Sequence, residues 1–330
     1  MRGRNMAKKS KAWSLRTLLA VLAIAVMFVI AEPRKVLLLM GQADPMKVVA
    51  GMLAVFVMYF LRTLRWQSLL VMCAKTISTF HLFVWTLAGT LLNFLLPTSI
   101  GGDLGRWYLV QSKDVSKAAA GLSLILDRLL GSLAFVPLIG LTVMGGVTLP
   151  DGIAIGTRSV AVSVVTVLLL SVILVFLWRF LTGDRGKAKL VRLYQRFFSE
   201  ADEVEPLDTT LEKLRQASRF DWLHAVVLSL LAHLCFVAAE YWFATALGIK
   251  VSFWQMSFLY LVAATAMLAP ITPNGLGVRE GLNVWFLTHL GNSAEAAVGY
   301  SLISLLVRFV TCVPSMLYVD IRPKAPPSDS

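Results

Sequence analysis

Residues 95–106 read Leu95-Leu96-Pro97-Thr98-Ser99-Ile100-Gly101-Gly102-Asp103-Leu104-Gly105-Arg106, and the way this stretch is read decides the topology of the whole chain. The apolar run before it, 80–96, ends in proline, glycine and aspartate. A hydrocarbon core about 30 Å thick takes roughly 20 apolar residues at about 1.5 Å each, so 80–96 is short for a span. Suppose it crossed the bilayer and left 107–117 outside. Every later span would then reverse, and the basic cluster Arg185, Lys187, Lys189, Arg192, Arg196, Lys213, Arg215 and Arg219 would face outward, against the positive-inside rule. A re-entrant hairpin over 80–112, entering and leaving on the cytoplasmic side, keeps the cluster inside. The run 253–269 ends in a similar way, in Pro270-Ile271-Thr272-Pro273-Asn274-Gly275, and the same reasoning makes 253–290 a hairpin from the outside.

Composition agrees with a membrane setting. The 330 residues are 57% hydrophobic and only 15% charged, against roughly 25% charged in soluble domains, which excludes a soluble globular enzyme and a disordered chain. The net charge of +12 is explained by cytoplasmic loops and anionic lipid headgroups; a nucleic-acid partner is not expected. Cys73, Cys235 and Cys312 are far apart in apolar surroundings without ligand spacing, and read as core packing.

Six runs have the length and polarity of full spans: 13–31, 48–66, 118–141, 153–181, 222–247 and 295–319. Arg2, Arg4, Lys8, Lys9 and Lys11 precede the first and place the N-terminus in the cytoplasm. A signal peptide cleaved after Val29-Ile30-Ala31 is the rival reading, and leaves the rest of the topology unchanged. The organisation expected is a basic N-terminus and first transmembrane helix over 1–47, repeat 1 over 48–141 with its hairpin at 80–112, a connecting transmembrane helix over 142–181, a cytoplasmic segment over 182–221, repeat 2 over 222–319 with its hairpin at 253–290, and a cytoplasmic tail over 320–330. Within the cytoplasmic segment, Leu190, Leu193, Tyr194 and Phe197 beside Lys189, Arg192 and Arg196 suit a surface helix, whereas Glu200 to Asp208 reads equally well as a solvated linker. The location expected is the inner (plasma) membrane, with both termini cytoplasmic.

The word repeat rests on matched residues. Pro97 and Pro270 each have glycine five residues later, Gly102 and Gly275, and arginine nine later, Arg106 and Arg279. Upstream, Arg65-Trp66 leads to Thr79-Phe80 as Tyr241-Trp242 leads to Ser252-Phe253. Downstream, Gly121-Leu122-Ser123-Leu124-Ile125 answers Gly299-Tyr300-Ser301-Leu302-Ile303. The fold expected is therefore an all-α polytopic membrane protein, an inverted-topology repeat with two re-entrant broken-helix hairpins, the architecture of secondary transporters.

The hairpins also carry the chemistry. Asp103 is a natural N-cap for a helix over Leu104 to Gln111, and Leu276 onward restarts a helix after Asn274-Gly275. Helix N-termini near the midplane suit phosphate or carboxylate, and Arg106 and Arg279 add full charges one turn in. Asp127, Arg128, Glu240 and Arg308 lie inside apolar spans, where each costs roughly 2.5 to 3.5 kcal/mol, so they should face protein or water. Asp127 and Arg128 are adjacent, point apart on a helix, and so each needs another partner. For Asp127 and Glu240 an ion pair with a hairpin arginine competes with a role in coupling or headgroup binding. Arg62 and Arg65, near a cytoplasmic helix end, read as snorkelling. The candidate substrate-binding set is Asn93, Pro97, Thr98, Ser99, Gly101, Gly102, Asp103, Arg106, Asp127, Arg128, Glu240, Pro270, Thr272, Pro273, Asn274, Gly275, Gly277, Arg279 and Glu280. No nucleotide-binding loop, zinc-protease motif or hydrolase elbow occurs, and no catalytic residue, metal or cofactor is expected.

The stretch 95–106, the pair Asp127-Arg128, and Pro270-Ile271-Thr272-Pro273-Asn274-Gly275-Leu276-Gly277-Val278-Arg279-Glu280-Gly281 resemble the lysylphosphatidylglycerol synthase transmembrane (flippase-like) family over about 15–320. That family includes the membrane half of the bacterial multiple peptide resistance factor. The resemblance implies a polytopic inner-membrane protein that moves a lipid between leaflets. Read to Ser330, the chain shows no counterpart of the soluble aminoacyl-transferase domain of fused members, so a stand-alone member is expected. Its substrate stays open among aminoacyl-phospholipids, other phospholipids, hopanoid-type lipids and polyisoprenyl-phosphate sugars. The reading is a lipid translocase rather than an enzyme, with membrane lipids and a separate lipid synthase as partners. Arg106 and Arg279 would hold phosphate, and Asp127 and Glu240 a cationic headgroup group or a proton. The rival readings are a transferase on a lipid phosphate, with Asp103 or Asp127 as general base, and a scaffold for a separate synthase docked on 182–221.

Overall fold

The computed structural model describes residues 32–95, 101–147, 205–267, 272, 275 and 277–318. The spans expected at 13–31 and 153–181, the basic stretch 186–199 and the tail 320–330 lie outside these residues. Among the described residues every regular element is helical. In chain order they are α1 (Pro33–Gly41), α2 (Pro45–Cys73), α3 (Thr79–Leu95), α4 (Gly101–Gln111), α5 (Lys117–Leu133), α6 (Phe135–Met144), α7 (Glu205–Gln216), α8 (Arg219–Ala246), α9 (Phe253–Ala266), α10 (Val278–His289) and α11 (Ala294–Cys312), followed by a 3-10 turn over Val313–Leu317.

Among the described residues, four stretches are long and apolar enough to cross a bilayer: Pro45–Cys73, Lys117–Met144, Arg219–Ala246 and Ala294–Leu317. They coincide with the runs 48–66, 118–141, 222–247 and 295–319. With its helices of spanning length, this is an all-α polytopic membrane protein.

The longest, α2, has 29 residues and so runs for about 43 Å. Asp44 caps it by accepting from the Met46 N–H at 3.0 Å, and Pro45 sits in the first turn, where no amide donor is needed. One face of α2, with Val55, Met58, Tyr59 and Trp66, is buried in the bundle, while Leu53, Phe56, Val57 and Phe60 are exposed apolar side chains suited to lipid. Gly51 lets the Phe243 ring of α8 lie directly on the α2 backbone, since a methyl there would overlap the ring. Serines cap α5 (Ser116), α8 (Ser218), α9 (Ser252) and α11 (Ser293), each accepting from an amide three residues on. The span from Lys117 to Met144 is broken at Ala134, and Pro137 is the reason: it lacks the N–H that would bond the Leu133 carbonyl.

The helix pair α3–α4 is a hairpin whose two ends lie at one end of the bundle. There Leu82 and Trp85 of α3, Leu109 and Val110 of α4, Cys73 at the end of α2 and Ala118 at the start of α5 share one core cluster. Phe80 also meets Tyr318 beyond α11, with ring centroids 5.8 Å apart. The second pair, α9–α10, has its ends at the opposite end, tied by the Lys250 N–H donating to Asn292 Oδ1 at 2.8 Å. The start of α2 is here too, with the Asp44 N–H donating to the Ala246 carbonyl at 2.9 Å. The hairpins thus penetrate the bundle from opposite ends.

Three local expectations need correction. Helix α4 starts at Gly101, so Asp103 sits within its first turn and its carboxylate is used elsewhere; it is not the N-cap. Helix α10 starts at Val278 rather than Leu276, because Gly277, with φ of 84°, closes the preceding turn in a conformation other residues rarely adopt. Part of the stretch read as a linker, from Glu205, is helical, and α7 buries Leu211 and Leu214 against the cluster at the first end. Leu211 and Leu214 come after the acidic stretch, so the acidic residues alone showed no face.

Candidate functional site

A cavity of about 420 Å³ lies where the inner parts of α2, α3, α4, α5, α8 and α11 meet, with Arg279 of α10 and Tyr260 of α9 completing its wall. Six arginines line it: Arg62, Arg65, Arg106, Arg128, Arg279 and Arg308. Asp103, Asp127, Asn93, Thr86, Thr90, Ser132, Tyr59 and His233 are among its other polar groups, and Phe94, Phe135, Phe236 and Met58 among its apolar ones.

Asp127 is the hub on the α5 side. It is 2% exposed; one oxygen accepts from Arg65 Nε at 2.7 Å and the other from Arg106 Nη1 at 3.2 Å. Arg106 also pairs with Asp103, and the second Asp103 oxygen is taken by Arg128. The adjacent residues Asp127 and Arg128 therefore do have different partners, as their separation around a helix requires. Arg65 donates further to Ser229 Oγ of α8 at 3.2 Å, and Arg106 lies 5.0 Å over the Trp66 ring. A buried ion pair offsets the cost of dehydration only when the remaining donors are also satisfied, which this arrangement does for Arg65 and Arg106.

The snorkelling reading of Arg62 and Arg65 is overturned. Arg65 is 4% exposed and bonded across the bundle, and Arg62, three residues earlier on the same face, lines the cavity. The sequence signal was the acid at Asp127, which needed a partner and could have drawn one from any span.

Close backbone contact positions the hairpin arginine. A methyl at Gly102 would overlap the Gly89 carbonyl oxygen, so α3 and α4 approach more closely than any side chain at 102 would permit. Asn93 Oδ1 accepts the Gly102 N–H at 2.7 Å. In the second hairpin the Gly277 N–H donates to a Glu280 oxygen at 2.7 Å, and the other Glu280 oxygen pairs with Arg279. An amide at each helix start is therefore already bonded to a side chain, and the arginines, more than the helix ends, supply the positive potential.

Glu240 makes no ion pair among the described residues. Tyr300 donates to one of its oxygens and Ser304 Oγ to the other at 2.7 Å. His233 bonds with Tyr260 Oη at 2.7 Å and the Gly131 carbonyl at 2.8 Å, stacked 4.5 Å from Phe135. Arg308 donates from Nε to the Ser304 carbonyl at 3.0 Å and lies 5.6 Å over Phe236, while its Nη2 is buried without a hydrogen-bond partner among the described residues.

Of the candidate set, Asn93, Asp103, Arg106, Asp127, Arg128 and Arg279 meet at the cavity. Gly277 and Glu280 stand behind Arg279, Gly101 and Gly102 open α4, and Gly275 packs on Met267. Glu240 is one layer back. Thr272 has a buried hydroxyl with no partner among the described residues. Pro97, Thr98, Ser99, Pro270, Pro273 and Asn274 lie outside the described residues.

The family model described as lysylphosphatidylglycerol synthase TM region matches residues 13–315. A protein of Methanothermobacter thermautotrophicus named as a UPF0104 membrane protein is 22% identical over 307 residues, covering 88% of this chain and 89% of that protein. The chain belongs to the lysylphosphatidylglycerol synthase transmembrane region family.

Proposed function

We propose that this protein is a lipid translocase that works by alternating access. The observation that carries the reading is the arginine-lined cavity into which α3–α4 and α9–α10 converge from opposite ends. A headgroup would enter it while the acyl chains stay in the bilayer, and rocking of one half of the bundle against the other would open it to each leaflet in turn. In this reading the two halves are an inverted pair, the end holding Gln111 and Lys117 is cytoplasmic, the membrane is the inner one, and a separate synthase supplies the lipid.

The transferase reading has less support. Both oxygens of Asp103 and both of Asp127 accept from arginines, so neither carboxylate has an oxygen free of protein donors to take a proton from a nucleophile.

The test is leaflet exchange of a labelled phospholipid by protein reconstituted in liposomes. Wild type should exchange well above protein-free vesicles without forming a new lipid species. Arg106→Lys and Arg279→Lys keep a charge beside the buried acids but lose the bidentate fork, and together should cut the rate at least tenfold. Wild-type exchange by the folded double variant would refute the site, and a new lipid species would restore the transferase.

A further inference from the structure

The cavity's charges do not balance, and the excess is localised. Arg65, Arg106, Arg128 and Arg279 are each held by a carboxylate. Arg62 and Arg308 form no ion pair among the described residues, although both line the cavity. Arg308 is 7% exposed, and its Nη2 has no hydrogen-bond partner among the described residues. The hydroxyl of Thr86, also on the cavity wall and 2% exposed, is a second buried donor with no partner among the described residues. Buried donors left in this state are costly, and a protein that keeps them spends stability on a ligand's oxygens.

The acids tell the complementary story. Around the cavity stand Asp103, Asp127, Glu240 and Glu280, and each of their eight oxygens accepts from the protein: Arg65, Arg106 twice, Arg128, Arg279, the Gly277 amide, Tyr300 and Ser304. An ammonium entering here would find no carboxylate oxygen free of a protein donor, and would meet two guanidiniums that no carboxylate of the described residues bonds directly.

We propose that the cavity is a phosphate-selective headgroup site in which Arg308 and Arg62 hold the anion, and that it selects lipids with a net negative headgroup over aminoacylated lipids carrying an ammonium. This rests on the translocase reading for its biological setting, but binding tests it independently. It also gives Asp127 and Glu240 a different task from receiving a cationic group: they hold Arg65 and Arg106, and Tyr300 and Ser304, in place around the anion.

The experiment measures thermal unfolding of the full chain in a neutral detergent against increasing short-chain phosphatidylglycerol, lysylphosphatidylglycerol, phosphatidylcholine and inorganic phosphate. A ligand bound by the folded state raises the midpoint with its concentration, which yields an affinity. Phosphatidylglycerol should bind at least tenfold more tightly than the other three. Arg308→Gln and Arg62→Gln should each weaken it about ten- to a hundred-fold, the loss of a charge-assisted hydrogen bond, while the unliganded midpoint holds or rises because a cation without a direct ion pair has gone. Arg62 is half-buried, so its variant carries the test should Arg308→Gln fail to purify. Equal or tighter binding of lysylphosphatidylglycerol would overturn the selectivity. Undiminished affinity in the variants, or a lower unliganded midpoint in both, would overturn the roles of the two arginines. Inorganic phosphate matching phosphatidylglycerol would make this a free-phosphate site and overturn the lipid assignment. Leaflet exchange on the same preparations separates the two proposals: selective binding without exchange keeps this site and removes the translocase, whereas exchange of lysylphosphatidylglycerol at the phosphatidylglycerol rate does the reverse.

Discussion

Asp127 holds two guanidiniums from different helices; Arg65 has no other acid among the described residues, and Arg106 would keep only Asp103, which it shares with Arg128. Asp127→Asn should therefore destabilise the protein by about 3–5 kcal/mol, the usual cost of leaving buried charge unpaired. Thermal unfolding in detergent checks this, and Arg65→Gln added to Asp127→Asn should recover part of the loss. If the single variant unfolds at the wild-type temperature, the network is not what holds α2, α4 and α5 together. At this scale the sequence was partly legible. A carboxylate amid apolar residues announces a partner, and Asp127 has one in the hairpin arginine; that Arg65 shares it was hidden, because 62 residues separate them in the chain. Arg308 was visible as an intramembrane charge, but only the fold shows that its Nη2 is left over.

The hairpin helices depend on glycines of unequal importance. The Cβ of alanine at 102 would meet the backbone carbonyl of Gly89, which no rotamer change relieves, whereas alanine at 105 would meet only the end of the Leu92 side chain, 2.6 Å away. Gly102→Ala should cost about 1–3 kcal/mol and move Arg106 off Asp127, while Gly105→Ala should be close to neutral because alanine favours the helix by about 1 kcal/mol. Equal unfolding midpoints for the two variants would contradict the close-packed crossing of α3 and α4. Proline and glycine marked where these helices stop, and serine where others start, since those are properties of single residues and their neighbours in sequence. The start of α10 was misplaced because Gly277 needs its positive φ to bring Glu280 back onto its own amide, a contact that spacing alone does not reveal.

For the whole molecule, the opposed hairpins predict opposed faces. Lys113, exposed just past α4, and Lys250, exposed just before α9, lie at opposite ends of the bundle. In a background with the native cysteines replaced, cysteine at 113 should react with an impermeant maleimide only from the cytoplasm, and cysteine at 250 only from outside. Labelling of both from one side would end the proposed topology. Of all this, the sequence by itself determined the membrane setting, the four described spans, the hairpin pairs and the family, because hydrophobic length, helix breakers and charge bias are sums over neighbouring residues. Only the tertiary structure decided which charges meet. Ion pairing joins helices far apart in the chain, and whether an arginine is neutralised, snorkels or is left for a ligand depends on the other arginines reaching the same acid. Six arginines and four carboxylates could be paired in many ways, and among the described residues the packing of α2, α4, α5 and α11 leaves Arg62 and Arg308 without a direct ion pair.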